Sequence, residues 1–141
     1  KFLNNEYLTD SLYLTTEQVN MIEENTTWYL GKVSSGYNYK LAKYQDTTSG
    51  SLRTATTTAK VGLLRLGELM TEQFSKADNN TSYWTLTPYS TSNVRRVNNY
   101  CYGNYSSPTN SYGSRPSMNL KSTVKIVSGT GTKSSPFTIS N

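Results

Sequence analysis

The residues best suited to chemistry lie between positions 94 and 121, where aromatic rings, amides and positive charges occur with no carboxylate. The stretch contains four tyrosines, five asparagines, three arginines and one lysine. Tyrosine offers rigid contact area at low entropic cost, and asparagine and serine offer adaptable hydrogen bonds, as in antibody binding loops. The stretch therefore predicts a recognition surface.

We predict that these side chains share one exposed face. The period of two along a strand places Tyr100, Tyr102 and Asn104 on one side, and Arg96 has the same parity. The alternative is that ordinary strands pack their tyrosines inward and expose asparagine and serine to water. The predicted ligand-binding residues are Arg96, Asn98, Tyr100, Tyr102, Asn104, Tyr105 and Tyr112.

Charge is divided unevenly along the chain. Residues 1–78 contain eight basic and nine acidic side chains, a net charge of −1, whereas residues 79–141 contain six basic and no acidic side chains, a net charge of +6. A positive region would attract an anionic partner. The other interpretation is that asparagine, serine and threonine simply replaced acids on a solvated surface, and both interpretations stay open here.

The composition argues against catalysis. Histidine is absent, which excludes Ser-His-Asp and Cys-His systems and imidazole metal sites. The carboxylate pairs Glu23–Glu24 and Glu68 with Glu72 are interpreted as solvated helix surface rather than as a glycosidase pair. The single Cys101 cannot form an intramolecular disulfide, and we predict that it is buried and inert on a strand. We predict no catalytic residue, no metal and no cofactor.

The N-terminal third predicts helices. The pair Thr15–Thr16, followed by Glu17, is typical of a helix N-terminus. Val19 and Ile22 supply the apolar face of this helix, and an earlier short helix is predicted over residues 3–12.

The rest of the chain predicts strands. We expect strands at YWTLTPYS, NVRRVNNYCYG and RPSMNLK, a buried strand over 61–66 followed by a helix over 66–74, a turn over 107–110, and a closing hairpin of 124–127 with 137–139. Trp84 is predicted to lie in the core. Arg115 is predicted to bond backbone carbonyls or a carboxylate.

Helices followed by strands indicate an α+β fold, with N-terminal helices packed on a mostly antiparallel sheet. Apolar residues make up 34% of the chain, but two Trp, three Phe and twelve Tyr can fill a core. We predict one extracellular domain over 1–141, comprising a helical part (1–33), a long polar surface excursion (34–59) and a strand-rich part (60–141).

The strand-rich part resembles a bacterial surface-protein domain family of unknown function from Firmicutes and Mollicutes. That family is typified by a Trp-containing strand, a Gly-x-Arg-Pro strand and a Gly-Thr-Gly-Thr hairpin. The arrangement also resembles the C-type-lectin-like architecture of variable bacterial surface proteins. The matching residues are Trp84, Pro88, Val97–Asn98, Gly113, Arg115–Pro116, Leu120, Gly129–Thr132 and Pro136–Ile139.

These observations predict a non-catalytic recognition or adhesion module, on the cell surface or secreted. Its partner would be a glycan or protein on another cell or surface. We expect any membrane anchor to lie outside this sequence, and we expect no membrane contact by this segment itself. Two alternatives stay open: a subunit or headpiece of a self-associating surface filament, and a binder of nucleic acid or teichoic acid.

Overall fold

The computed structural model describes residues 2–30, 56–69 and 81–141. The fold is mixed α+β with few helices and mostly antiparallel strand pairing, which confirms the predicted class. The elements are a 3₁₀ helix (Phe2–Asn4), α1 (Glu6–Thr9), α2 (Thr16–Met21), β1 (Thr27–Tyr29), β2 (Thr56–Thr58), β3 (Val61–Leu63), α3 (Leu66–Leu69), β4 (Tyr83–Pro88), β5 (Val94–Val97), β6 (Gly103–Ser106), β7 (Pro116–Met118), β8 (Lys125–Ser128) and β9 (Thr138–Ser140).

The strands form several small sheets instead of the single mostly antiparallel sheet that the sequence predicted. Strand pairing joins β1 with β2, β3 with β7, β4 with β5 and β6, and β8 with β9. The strands are short, and the register shifts along both the β4–β5 and the β8–β9 pairs. Such irregularities bend a strand and interrupt its ladder of hydrogen bonds, which works against one extended sheet.

Helix α2 begins with a capping box. Gln18 N donates to Thr15 Oγ1 at 3.2 Å, and Thr15 N donates to Gln18 Oε1 at 2.8 Å, so each residue satisfies the other's backbone group. The predicted start is confirmed. The helix ends at Ile22, which adopts an extended conformation (φ −79°, ψ 136°) and is buried.

The chain divides into two compact units, one of Lys1–Thr26, Ala59–Val61 and Met118–Asn141, the other of Thr27–Thr58 and Gly62–Ser117. In the first unit, Asn4 bonds both backbone groups of Val61, donating from Nδ2 at 2.8 Å and accepting at Oδ1 at 3.0 Å. Ile22 forms an antiparallel bridge with Leu120. The N-terminal segment is therefore tied to residues distant in sequence. That the whole chain is one domain stays a prediction.

The second unit has a small apolar core formed by Leu66, Leu69, Tyr83 and Val97. Along β4 the odd-numbered residues are buried and the even-numbered residues are half-buried. Thr87 Oγ1 accepts a hydrogen bond of 2.7 Å from Leu66 N, which satisfies a donor at the start of α3. This packing holds β4 and its neighbours in place beneath the candidate site.

The prediction that Trp84 lies in the core is wrong. The alternation of β4 places Tyr83 on the buried face, so Trp84 is half-buried on the other face. There its ring contacts Tyr112 edge-on, with centroids 5.1 Å apart. Arg115 packs over Tyr83 with its guanidinium carbon 4.2 Å from the ring centroid, a cation–π contact that the sequence did not indicate.

Some predictions fall outside the described residues, namely residues 34–55 of the polar excursion, the extension of α3 towards Phe74, and Glu72. The last residues of the excursion form β2, which pairs with β1. Within the three described ranges, no helix has the length and apolar character needed to cross a bilayer.

Candidate functional site

The candidate site is built on the β4–β5–β6 meander of the second unit. Strands β5 and β6 pair from Val94 with Ser106 to Val97 with Gly103, and residues 98–102 connect them as a turn. The prediction that NVRRVNNYCYG forms one continuous strand is therefore wrong.

Asn98 organises this turn. Its Oδ1 accepts hydrogen bonds from Tyr100 N at 2.9 Å and Tyr102 N at 3.2 Å, which is the local bonding that makes asparagine a turn former. Cys101 lies in the left-handed region at φ +65° and is half-buried, not buried on a strand as predicted. Asn98 is only 4% exposed. Its predicted place on the ligand surface is corrected to a structural one, because its oxygen already serves the turn.

Two tyrosine rings project from the turn. Tyr100 is 60% exposed and Tyr102 is 55% exposed, so neither is a core residue. Their ring centroids are 6.4 Å apart and the ring planes differ by 13°. The rings lie side by side as predicted, but the turn, and not the period of a strand, places them there. We call this pair the tyrosine platform.

Arg96 is held in a fixed position on the sheet. Its Nη1 donates to Ser82 Oγ at 2.7 Å and its Nε donates to Ser106 Oγ at 3.0 Å. The guanidinium carbon lies 4.5 Å from the centroid of the Tyr112 ring, and Ser106 Oγ donates to Tyr112 Oη at 3.3 Å. Nη2 makes no hydrogen bond within the described part of the chain, so it retains donors for a ligand.

A wide groove of about 490 Å³ opens beside Arg96, a volume within the range of small-molecule sites. Its lining carries hydroxyl groups, one amide and one phenol ring, and no charged group. Arg96 contacts two of the lining residues, Ser82 and Tyr112, and so places a positive charge next to the groove. The lining residues are Thr81, Ser82, Asn99, Ser111, Tyr112 and Gly113.

The floor of the groove depends on a close backbone approach at Gly113. Gly113 N donates to Ser82 O at 2.9 Å, and Trp84 N donates to Gly113 O at 3.0 Å. A Cβ atom at position 113 would lie 3.3 Å from the same Ser82 oxygen, which is tighter than most real contacts. A larger residue there would move the two segments apart.

The seven predicted residues do not share one surface. Asn104 pairs with Arg96, so the two lie on the same face of the sheet, whereas Tyr105 pairs with Arg95 on the opposite face. The Tyr105 ring stacks on Tyr89 with centroids 3.8 Å apart. The predicted grouping of Tyr105 with Arg96 is therefore wrong, because successive residues of a strand point to opposite faces.

Of the predicted residues, Tyr112 lines the groove and Arg96 adjoins it. Asn99, another lining residue, belongs to the same turn as the tyrosine platform. Sequence reasoning missed Thr81, Ser82, Asn99 and Ser111, which are common surface residue types in no recognisable pattern. One usable signal for Asn99 was its position in the sequence, between the predicted ligand-binding residues Asn98 and Tyr100.

Comparison with protein-family models, with curated proteins and with solved structures finds no match to this chain. Among the cysteine, aspartate and glutamate side chains that the structure describes, no three lie close enough to hold a metal ion.

Proposed function

We propose that this chain is a non-catalytic recognition module that binds an oligosaccharide in the groove between residues 81 and 113. The supporting observation is the uncharged, hydroxyl- and amide-rich lining beside a guanidinium that neighbouring side chains hold in place. Hydroxyl and amide groups both donate and accept hydrogen bonds, which matches the alternating donors and acceptors of a sugar.

The tyrosine platform extends this proposal beyond the groove. A pyranose ring presents an apolar C–H face that packs on aromatic rings, and two nearly parallel exposed rings offer such a surface. Because Asn99 and the platform share one turn, a chain of sugar units could contact both. Tyr105 forms a separate exposed ring contact with Tyr89 and is left out of this proposal.

We also propose that the module acts outside the cell, on a cell surface or as a secreted protein. The support is a composition rich in tyrosine, asparagine, serine and threonine. The resemblance of residues 60–141 to a bacterial surface-protein domain stays an expectation from the sequence. A C-type-lectin-like architecture is the finer fold that this proposal favours.

The test is binding of the purified chain to an immobilised array of bacterial and animal oligosaccharides, followed by calorimetry with the best ligand. Tyr102→Ala should weaken binding on the order of tenfold or more, as expected for loss of a stacked ring. Tyr29→Ala is a matched control, because Tyr29 is also exposed but lies on β1. Equal losses in both variants, or no bound oligosaccharide, would refute the proposal.

A second candidate is binding of an anionic polymer such as nucleic acid or teichoic acid, which the net charge of +6 over residues 79–141 favours. For such a ligand, each tenfold increase in salt concentration lowers the logarithm of the association constant by roughly 0.7–0.9 per neutralised phosphate. Titration with single-stranded DNA and with purified teichoic acid at several salt concentrations distinguishes it, because an uncharged sugar should show little salt dependence.

A further inference from the structure

The β8–β9 hairpin of the first unit presents apolar side chains to solvent. Every residue of both strands is exposed, and Ile126 lies opposite Ile139 in the register. Contiguous exposed apolar surface marks interaction sites, and an isolated two-stranded hairpin is marginally stable. The hairpin patch comprises Ile126, Phe137 and Ile139, between 37% and 61% exposed, with Lys121, Lys125 and Lys133 nearby in sequence.

The N-terminal segment of the same unit has the opposite charge. Residues 2–24 contain five carboxylates and no basic side chain. Leu12 is 87% exposed, and beside it in sequence Tyr13 packs with Phe2 and Tyr7, the ring centroids lying 5.4–6.3 Å apart. The N-terminal patch comprises Phe2, Leu12 and Tyr13 with Glu6, Asp10, Glu17, Glu23 and Glu24.

Neither patch covers the other within one molecule, since the apolar members of both are exposed. Within the described residues, Lys121, Lys125 and Lys133 form no ion pair. In the N-terminal patch, Glu24 forms an ion pair with Lys60 at 3.2 Å. A net charge of +3 over residues 121–141 therefore has a complement of −5 over residues 2–24.

We propose that the hairpin patch of one copy of this chain docks on the N-terminal patch of a second copy. A second copy is the expected partner because the two patches have opposite charge and both expose apolar side chains. Because the two patches differ, the contact is heterologous, and a dimer formed by one such contact still has one free patch of each kind. Such a contact produces open chains or closed rings.

The test uses sedimentation velocity of the whole chain over a range of protein and salt concentrations. The wild type should associate as concentration rises, and added salt should weaken this association. In one variant, Lys125→Glu is combined with Lys133→Glu, and in the other Glu6→Lys is combined with Glu17→Lys. Each variant alone should associate at least on the order of tenfold more weakly. The first changes the charge of the hairpin patch from +3 to −1, and the second changes the charge of the N-terminal patch from −5 to −1.

Mixing the two variants is the decisive measurement. The first variant keeps the wild-type N-terminal patch, with a charge of −5, and the second keeps the wild-type hairpin patch, with a charge of +3. In an equimolar mixture these two unaltered patches can meet, so association of one variant with the other should be recovered. A mixture that stays monomeric would overturn the proposal. So would wild-type association of the Glu6→Lys, Glu17→Lys variant, since that result would indicate pairing of hairpin with hairpin.

Substitution of apolar hairpin residues by serine tests the contact independently of charge. Ile126→Ser with Ile139→Ser removes the apolar pair that the two strands place opposite each other and leaves the charges unchanged. This variant should also abolish association, with the melting temperature confirming that the protein is folded. Tyr102→Ala, which lies outside both patches, should associate like the wild type. A strictly monomeric wild type at millimolar concentration and low salt would end the proposal, whatever the oligosaccharide array shows.

Discussion

The groove of the second unit and the hairpin of the first unit both lie in the acid-free part of the chain, yet they present their cations differently. Arg96 is held by two serine hydroxyls and packs over an aromatic ring. Lys125 and Lys133 extend from an exposed hairpin. A planar guanidinium in a fixed position suits directional recognition of a small ligand, whereas a lysine ammonium is a point charge on a flexible stem.

The comparison teaches that composition alone does not separate the two kinds of surface. Serine, threonine, glycine and basic residues occur in both regions. The groove region is supported by the Leu66 core and by the Asn98 turn, and the hairpin has no buried strand residue. Pre-organisation is therefore the physical difference, because it lowers the entropic cost of binding a small ligand.

The largest expected effect tests the support beneath the groove. Leu66→Ala should lower the free energy of unfolding by about 2–5 kcal/mol, since Leu66 is fully buried in the core. Ile126→Ala on the exposed hairpin should change it by less than about 0.5 kcal/mol. Urea denaturation measures the free energy of unfolding of both variants. Equal losses of stability would contradict the claim that the groove has a packed support and the hairpin does not.

The next effect concerns the turn. Asn98→Ala removes the acceptor for Tyr100 N and Tyr102 N, and we expect a loss of about 1–3 kcal/mol in stability together with loss of oligosaccharide binding. Asn110→Ala, at an exposed position in the 107–110 turn, is the control. Unfolding curves and calorimetry are compared, and normal binding by Asn98→Ala would show that the platform does not depend on this turn.

A smaller effect should follow from exchanging cation types. Arg96→Lys keeps the charge but cannot reproduce the two serine bonds in the same geometry, so oligosaccharide affinity should fall on the order of tenfold. Lys125→Arg should leave self-association unchanged. Calorimetry measures the oligosaccharide affinity of Arg96→Lys, and sedimentation velocity measures the self-association of Lys125→Arg. Wild-type oligosaccharide affinity in Arg96→Lys would contradict the proposed difference between the two cation sites.

The smallest effect separates the regions by salt. Raising ionic strength from about 0.05 to 0.5 M shortens the screening length, which should weaken self-association markedly but change oligosaccharide affinity only slightly. Both are measured in the same buffers with the wild-type chain. A strong salt dependence of groove binding would instead favour the anionic-polymer candidate.

Sequence reasoning worked best where neighbours within a few residues decide the structure. The start of helix α2 at Thr15, the turn closed by Asn110 N and Ser107 O at 3.0 Å, and the β8–β9 hairpin were all predicted. It failed where a choice between two faces depends on distant packing. Tyr83 rather than Trp84 faces the core, although the alternating pattern of that strand allowed either.

The sequence by itself determined the α+β class, the separation of charge along the chain, the start of helix α2 and the turn at residues 107–110, because propensities and short-range hydrogen bonds act between residues close in the chain. Only the tertiary structure decided that Tyr83 rather than Trp84 would face the core, that Tyr105 would lie across the sheet from Arg96, and that the backbones of Ser82 and Gly113 would meet at the groove. These outcomes depend on strand register, which long-range packing sets and which moves a side chain to the opposite face with each single-residue shift.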